Sequence, residues 1–145
     1  MLKGIPKIIS PELMKVLMEM GHGDEIVLVD GNFPAASCAN TLVRCDGHGV
    51  TQILEAILKF FPLDTYSEKS VTLMNVVEGD TYIPTIWEEF SETIQKYNQS
   101  FGSFEMVERF EFYERSKNAY AIVATGESAL YANIILKKGV VVDEK

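Results

Sequence analysis

The stretch Gly21-His22-Gly23-Asp24-Glu25-Ile26-Val27-Leu28-Val29-Asp30-Gly31-Asn32-Phe33-Pro34 decides the fold. Its central apolar run, residues 26–29, is typical of a strand buried on both faces of a sheet. Asp30 ends this run, at the carboxyl end of the predicted strand, where open α/β sheets hold their ligands. His22 precedes the strand between two glycines, and an imidazole can give and take a proton near neutral pH. We therefore expect a proton-transfer group and a hydrogen-bonding site to face each other here.

Helical and strand patterns alternate on both sides of this stretch. Ser10-Pro11-Glu12 predicts a helix start, because serine caps a free N–H and proline is tolerated at the first helical position. The other patterns predict three more helices: one capped by Thr51, one opened by Pro84 and one over residues 110–117. They also predict strands over 41–44, 71–77, 104–107, 119–125 and 134–137. The alternation predicts a single α/β layered domain over residues 1–145, with a largely parallel sheet flanked by helices.

Bulk properties exclude several classes of function. The 145 residues carry a net charge of -8, which disfavours nucleic acid and anionic membrane surfaces as partners. The start of the chain does not resemble a signal peptide and no apolar run is long enough to span a bilayer, so we expect a cytoplasmic protein. The two cysteines, Cys38 and Cys45, form no metal pattern, and no phosphate loop or nucleophile elbow is present. We expect neither a metal nor a cofactor.

Other candidate residues lie in the second half of the chain. Arg109 and Tyr113 are four residues apart, so on a helix they share a face that suits a hydroxyl-rich ligand. Tyr131 and Asn133 flank Ala132, and alternate residues of an extended segment point the same way.

Each candidate also has an ordinary structural explanation. His22 could be a helix C-terminal cation, Asp30 a cap for the next turn, and Asp64 a turn aspartate after a helix. The region of Arg109 could be an exposed lattice of arginine and glutamate side chains, and Tyr131 and Asn133 could begin an amphipathic strand. The residues alone leave these alternatives open.

Four segments together resemble a known family: Gly21–Asp30, Asn32–Pro34, Arg109–Arg115 and Thr125–Asn133. In this order they are similar to the RbsD/FucU family of sugar mutarotases and pyranases, and most closely to its fucose branch. The resemblance implies an RbsD-like fold, with His22 as the general acid or base. It also implies a sugar-binding set formed by Asp30, Arg109, Tyr131, Ala132 and Asn133, together with Tyr113 and Asp64.

The implied reaction interconverts the α and β anomers of L-fucose by ring opening and closure, without a cofactor. The resemblance further implies a ring-shaped homo-oligomer, often a decamer, in which a neighbouring subunit completes the site. One alternative is a D-ribose pyranase, which uses the same ring opening. The other is a non-catalytic monosaccharide-binding accessory protein, in which His22 binds but moves no proton.

Overall fold

The computed structural model describes residues 1–143; Glu144 and Lys145, the last two residues of the expected domain, lie outside the described residues. A six-stranded sheet forms the centre, with strand order β2-β5-β1-β6-β3-β4. The strands are β1 Glu25–Val29, β2 Leu42–Cys45, β3 Val71–Met74, β4 Glu105–Val107, β5 Ala121–Thr125 and β6 Ile134–Lys137. The helices are α1 Pro11–Glu19, α2 Ala35–Cys38, α3 Val50–Leu58, α4 Ile86–Tyr97 and α5 Arg109–Asn118.

The expected largely parallel sheet is confirmed, with β6 as the exception. β1 pairs with β5, β5 with β2, and β3 with β4 in parallel, whereas β6 runs antiparallel between β1 and β3. Ile134 of β6 pairs with Leu28, and Lys137 pairs with Glu25. We call the end of the sheet where β1 finishes and β6 begins the carboxyl edge, and the opposite end the amino edge.

Helices cover both faces of the sheet, as the α/β prediction requires. On one face α1, α3 and α4 pack against Ile26 and Leu28 of β1, and on the other α2 and α5 pack against Val27 and Val29. The four apolar side chains of β1, residues 26–29, are fully buried. Burying an aliphatic side chain stabilises the fold by about 1.5–3 kcal/mol, so this short apolar strand holds both layers to the sheet.

The predicted helix starts were right at Ser10 and wrong at Thr51. Ser10 Oγ accepts a hydrogen bond from the Leu13 N–H at 3.1 Å. The third helix instead begins at Val50 with Gly49 as its N-cap, and the Val50 N–H donates to Glu127 Oε1 at 3.1 Å. A carboxylate from a distant part of the chain therefore replaces the local cap.

Other boundaries also differ from the sequence prediction. The strand expected over 71–77 ends at Met74, because the Val76 N–H turns back to Asn75 Oδ1 at 2.9 Å. The strand expected from residue 119 begins at Ala121, and the short α2 was not predicted. Within residues 1–143, no helix combines the length and the hydropathy needed to cross a membrane.

Candidate active site

His22 stands on a tight turn at the amino edge of the sheet. The Gly21 N–H donates to Asp24 Oδ2 at 2.7 Å, and the Gly23 N–H donates to the Lys138 carbonyl at 2.8 Å. Gly23 has a φ of 87°, in the left-handed region that glycine adopts without a steric penalty. The turn leaves the imidazole 47% exposed, so it can reach a ligand.

Asp64 is the direct partner of His22. The imidazole Nε2 lies 2.9 Å from Asp64 Oδ1. Asp64 is brought there by β6, because its N–H donates to the Lys137 carbonyl at 3.0 Å. The Tyr66 ring packs beside the imidazole at 5.1 Å between centroids. Asp64 is therefore the residue that orients the His22 ring.

The Asp64 carboxylate is fully occupied by hydrogen-bond donors. Oδ1 accepts from His22 and from the Tyr66 N–H at 3.1 Å, and Oδ2 accepts from the Ser67 N–H at 3.1 Å and the Ser67 hydroxyl at 2.6 Å. These hydrogen bonds hold the pKa of Asp64 far below its ordinary value, and the bond from the Ser67 hydroxyl contributes most. Burial of the carboxylate opposes this lowering. Asp64 therefore stays ionised near neutral pH and accepts the hydrogen of Nε2.

This pairing determines which nitrogen of His22 is available for chemistry. When a carboxylate accepts the Nε2 hydrogen, the neutral imidazole keeps its lone pair on Nδ1. Nδ1 can then take a proton and return it, while the hydrogen bond to Asp64 fixes the ring. The arrangement is that of an oriented general acid–base group.

Asp30 lies at the carboxyl edge, where the sequence predicts it. Its side chain is buried; Oδ1 accepts from the Asn32 N–H at 3.0 Å, and its backbone N–H donates to Asn133 Oδ1 at 2.9 Å. Burial raises the pKa of Asp30, although hydrogen bonds from the backbone of Asn32, Ala132 and Phe33 and from the Asn133 side chain oppose this rise. The Asp30 carboxyl group is thus held in a fixed position where burial disfavours its charged form.

Ala132 and Asn133 support Asp30 from the start of β6. The Ala132 side chain is fully buried, and the Ala132 backbone hydrogen-bonds to Asp30. Asn133 is also buried and joins β6 to the end of β1 through the Asp30 N–H. Both residues are therefore part of the wall of the carboxyl edge.

Tyr131 does not lie in an extended segment, so that expectation is wrong. Its φ is 58°, a left-handed conformation, and the Trp87 indole N–H donates to its carbonyl at 2.9 Å. Its hydroxyl donates to Asp80 Oδ2 and accepts from the Val77 N–H. The hydrogen bond to Asp80 raises the pKa of the Tyr131 hydroxyl. Tyr131 thereby ties the loop 75–85 to the carboxyl edge.

Arg109 and Tyr113 lie four residues apart on one helix, as predicted, although α5 begins at Arg109 and not at residue 110. Both lie at the carboxyl edge. The α5 helix is capped by the Glu108 carboxylate, which accepts from the Phe110 N–H at 2.9 Å. The Arg109 guanidinium stacks on the Phe110 ring at 4.6 Å, and the Tyr113 ring packs edge-on against Phe33 at 5.3 Å. Within residues 1–143 no ion pair involves Arg109, so its guanidinium is available for a ligand.

A recess opens beside Asp30 at the carboxyl edge. Its volume is about 300 Å³, which is at the lower end of the range for small-molecule pockets. Asp30, Phe33, Thr125, Arg44 and Asp46 line it. Arg109, Tyr131 and Asn133 do not line this recess. Among residues 1–143, no group of three or more His, Cys, Asp or Glu side chains is placed to hold a metal ion.

The structure divides the predicted residues between two edges of the sheet. His22 and Asp64 lie at the amino edge, and the remaining predicted residues lie at the carboxyl edge. β1 has five residues, so the edges are about 16 Å apart at roughly 3.3 Å per strand residue. The expectation that His22 and Asp30 face each other is therefore wrong within one protomer, because a single monosaccharide cannot touch both.

Sequence reasoning missed several residues that complete these sites. Ser67 contacts Asp64, Asp80 contacts Tyr131, and Trp87 holds the Tyr131 backbone. The run Asp64-Thr65-Tyr66-Ser67 carried a usable signal, because aspartate often accepts from backbone N–H groups two and three residues later. No local pattern indicates the other two contacts, which join residues 51 and 44 positions apart.

Comparisons with known proteins agree with this architecture. The model of the RbsD / FucU transport protein family matches residues 3–141. An L-fucose mutarotase of Actinobacillus pleuropneumoniae serotype 5b (strain L20) is 54% identical over 140 residues, covering 97% of this chain and 97% of that protein. A Homo sapiens fucose mutarotase is 50% identical over 145 residues, covering 96% and 94%. A crystal structure of the Streptococcus pneumoniae fucose mutarotase in complex with L-fucose superposes with a TM-score of 0.93 at 59% identity, covering 97% of this chain and 100% of that one.

Proposed function

The chain belongs to the RbsD/FucU family, and on that premise we propose that it interconverts the α and β anomers of L-fucose. It is an isomerase of the carbohydrate racemase and epimerase class. Two features support this activity: nearly full-length similarity to fucose mutarotases from a bacterium and an animal, and a closely similar fold solved with L-fucose.

The single observation that carries the chemistry is the His22–Asp64 pair. Mutarotation needs a proton taken from the anomeric O1–H and a proton given to the ring oxygen. The O1–H electron pair becomes the carbonyl bond as the bond between C1 and the ring oxygen breaks. The aldehyde then rotates about the C1–C2 bond, and the ring closes on the other face with the proton transfers reversed. An exposed imidazole fixed by an ionised carboxylate suits such transfers, and no cofactor enters this scheme.

The carboxyl edge supplies the groups that bind the sugar. In this proposal Asp30 accepts hydrogen bonds from sugar hydroxyls and the Asn133 side-chain amide donates to them. The Arg109 guanidinium is a further donor. Tyr131 contributes its hydroxyl, Ala132 its backbone, and Tyr113 an aromatic wall. Asp64 contributes through His22, since all four of its acceptor positions are already filled.

We propose that a second copy of the chain completes the site. The separation of about 16 Å between the two edges supports this, because His22 of one protomer can reach the sugar only at the carboxyl edge of another. Large apolar side chains lie exposed beside that edge, as expected for an interface: Tyr82, Ile83, Phe110 and Leu130. The family resemblance extends the proposal to a ring-shaped homo-oligomer with ten subunits. A cytoplasmic location is part of the same proposal, and the free thiols Cys38 and Cys45 are compatible with it.

Saturation-transfer NMR on the anomeric protons tests the proposed reaction and its alternatives. The protein is added to L-fucose and, separately, to D-ribose at anomeric equilibrium. We expect faster exchange between the α and β signals of L-fucose than in buffer. Exchange with D-ribose alone would identify a pyranase instead. Sugar binding detected by calorimetry without exchange would indicate a non-catalytic accessory protein.

A further inference from the structure

We infer that Ser67, oriented by Lys137, is a positioning residue for His22. Its hydroxyl holds the Asp64 carboxylate so that one oxygen is reserved for the imidazole. This inference rests on the proposed function for its effect on rate. The effect of Ser67 on the tautomer of the His22 ring can be measured without any sugar.

The first step is the division of labour between the two Asp64 oxygens. The Ser67 hydroxyl and N–H both donate to Oδ2, at 2.6 and 3.1 Å, whereas His22 bonds to Oδ1 at 2.9 Å. A carboxylate has about four lone-pair sites, and these donors, with the Tyr66 N–H, fill them. Loss of the hydroxyl would open a site on Oδ2 and let the carboxylate rotate toward water.

The second step is the direction of the Ser67 hydrogen. The Lys137 ammonium Nζ lies 3.2 Å from Ser67 Oγ. An ammonium group donates and never accepts, so the serine oxygen accepts from Lys137 and its own hydrogen is left for Asp64. The hydrogen bonds therefore run from Lys137 to Ser67 to Asp64, and the imidazole donates to Asp64 from the other side.

The third step is that Lys137 anchors both ends of this hydrogen-bond network. Lys137, at the end of β6, accepts the Asp64 N–H with its carbonyl at 3.0 Å while its side chain reaches Ser67. Asp64, Ser67 and Lys137 are each buried or half-buried. Hydrogen bonds in such a network reinforce one another, and this holds the carboxylate in place before a sugar arrives.

The test compares Ser67→Ala, Ser67→Thr and Lys137→Met with the wild type, and uses Ser103→Ala, an exposed serine, as the matched control. We expect kcat for L-fucose exchange to fall about tenfold in Ser67→Ala with KM unchanged, in line with the loss of groups that orient a ligating or catalytic imidazole. Ser67→Thr should restore the rate because it keeps the hydroxyl, and Ser103→Ala should match the wild type. Lys137→Met should lie between the wild type and Ser67→Ala.

Nitrogen-15 NMR of the His22 ring measures its tautomer, which would not change if Ser67 only stabilised the fold. We expect the neutral ring to carry its hydrogen on Nε2 in the wild type and in Ser67→Thr, and to show a mixture of both tautomers in folded Ser67→Ala. A wild-type rate and an unmixed Nε2–H ring in folded Ser67→Ala would overturn the inference. If the wild type exchanged no sugar but the tautomer still changed, the proposed function would fail and the positioning role would stand.

Discussion

His22 Nε2 lies 2.9 Å from Oδ1 of Asp64, a carboxylate whose side chain is 4% exposed. The pair joins residues 42 positions apart at the amino edge of the sheet. Since the carboxylate is held ionised by its donors, the pair links the acid stability of the protein to its proposed proton transfer.

Asp64→Asn should remove a defined part of the pH dependence of stability. The pKa of Asp64 is lowered in the folded state, so at acidic pH the unfolded chain binds more protons than the native one. Its contribution to the free energy of unfolding is therefore complete above the ordinary aspartate pKa of about 3.9 and is lost as pH falls below it. Denaturant unfolding of both proteins between pH 2.5 and 7 should show a difference in the free energy of unfolding that narrows as the pH falls below about 3.9. A constant difference would contradict the assignment.

Asp30→Asn should weaken sugar binding and change stability with the opposite pH trend. Burial raises the pKa of Asp30, so the native state resists its ionisation and loses stability as pH rises through that pKa. The stability of Asp30→Asn relative to the wild type should therefore increase from pH 3 to pH 7. Calorimetric titration with L-fucose should show an affinity loss equivalent to about 1–3 kcal/mol. Unchanged affinity would remove Asp30 from the sugar site.

Asn133→Ala should weaken both binding and stability, since its amide oxygen accepts the buried Asp30 N–H. An unpaired buried N–H costs about 1–3 kcal/mol. Thermal or denaturant unfolding measures this cost, and Asn98→Ala at the end of α4 serves as the control for removal of an asparagine side chain away from the carboxyl edge. If only affinity fell, the amide would serve the ligand alone.

Mixing two impaired variants should restore part of the activity if neighbouring subunits share each site. His22→Ala and Asp30→Asn protomers are unfolded together and reassembled in equal amounts. Random assembly places an intact His22 opposite an intact Asp30 in about a quarter of the sites, because each half is intact with a probability of about one half in a symmetric oligomer. Exchange at roughly that fraction of the wild-type rate is expected. No recovery, or a monomer mass by light scattering with full activity, would show that each chain builds its site alone.

The local patterns predicted most of the helices and strands, although not α2, but long-range pairing decides the site. The apolar run before Asp30 predicted a buried strand with a polar end, and both are present. The direction of β6 is not encoded in its own residues, so the sequence could not show that Lys137 reaches the amino edge and brings Asp64 to His22. The Thr51 cap failed for the same reason, since Glu127 lies 77 residues from Val50.

Saturation-transfer NMR of L-fucose with His22→Ala tests the central claim most directly. The half-exposed imidazole contributes little to the core, so the variant should fold as the wild type does, and unfolding curves check this. Loss of a general acid–base group should slow exchange between the anomeric signals by roughly 10²–10⁴-fold. A folded His22→Ala protein that exchanges the anomers of L-fucose at the wild-type rate would contradict the account.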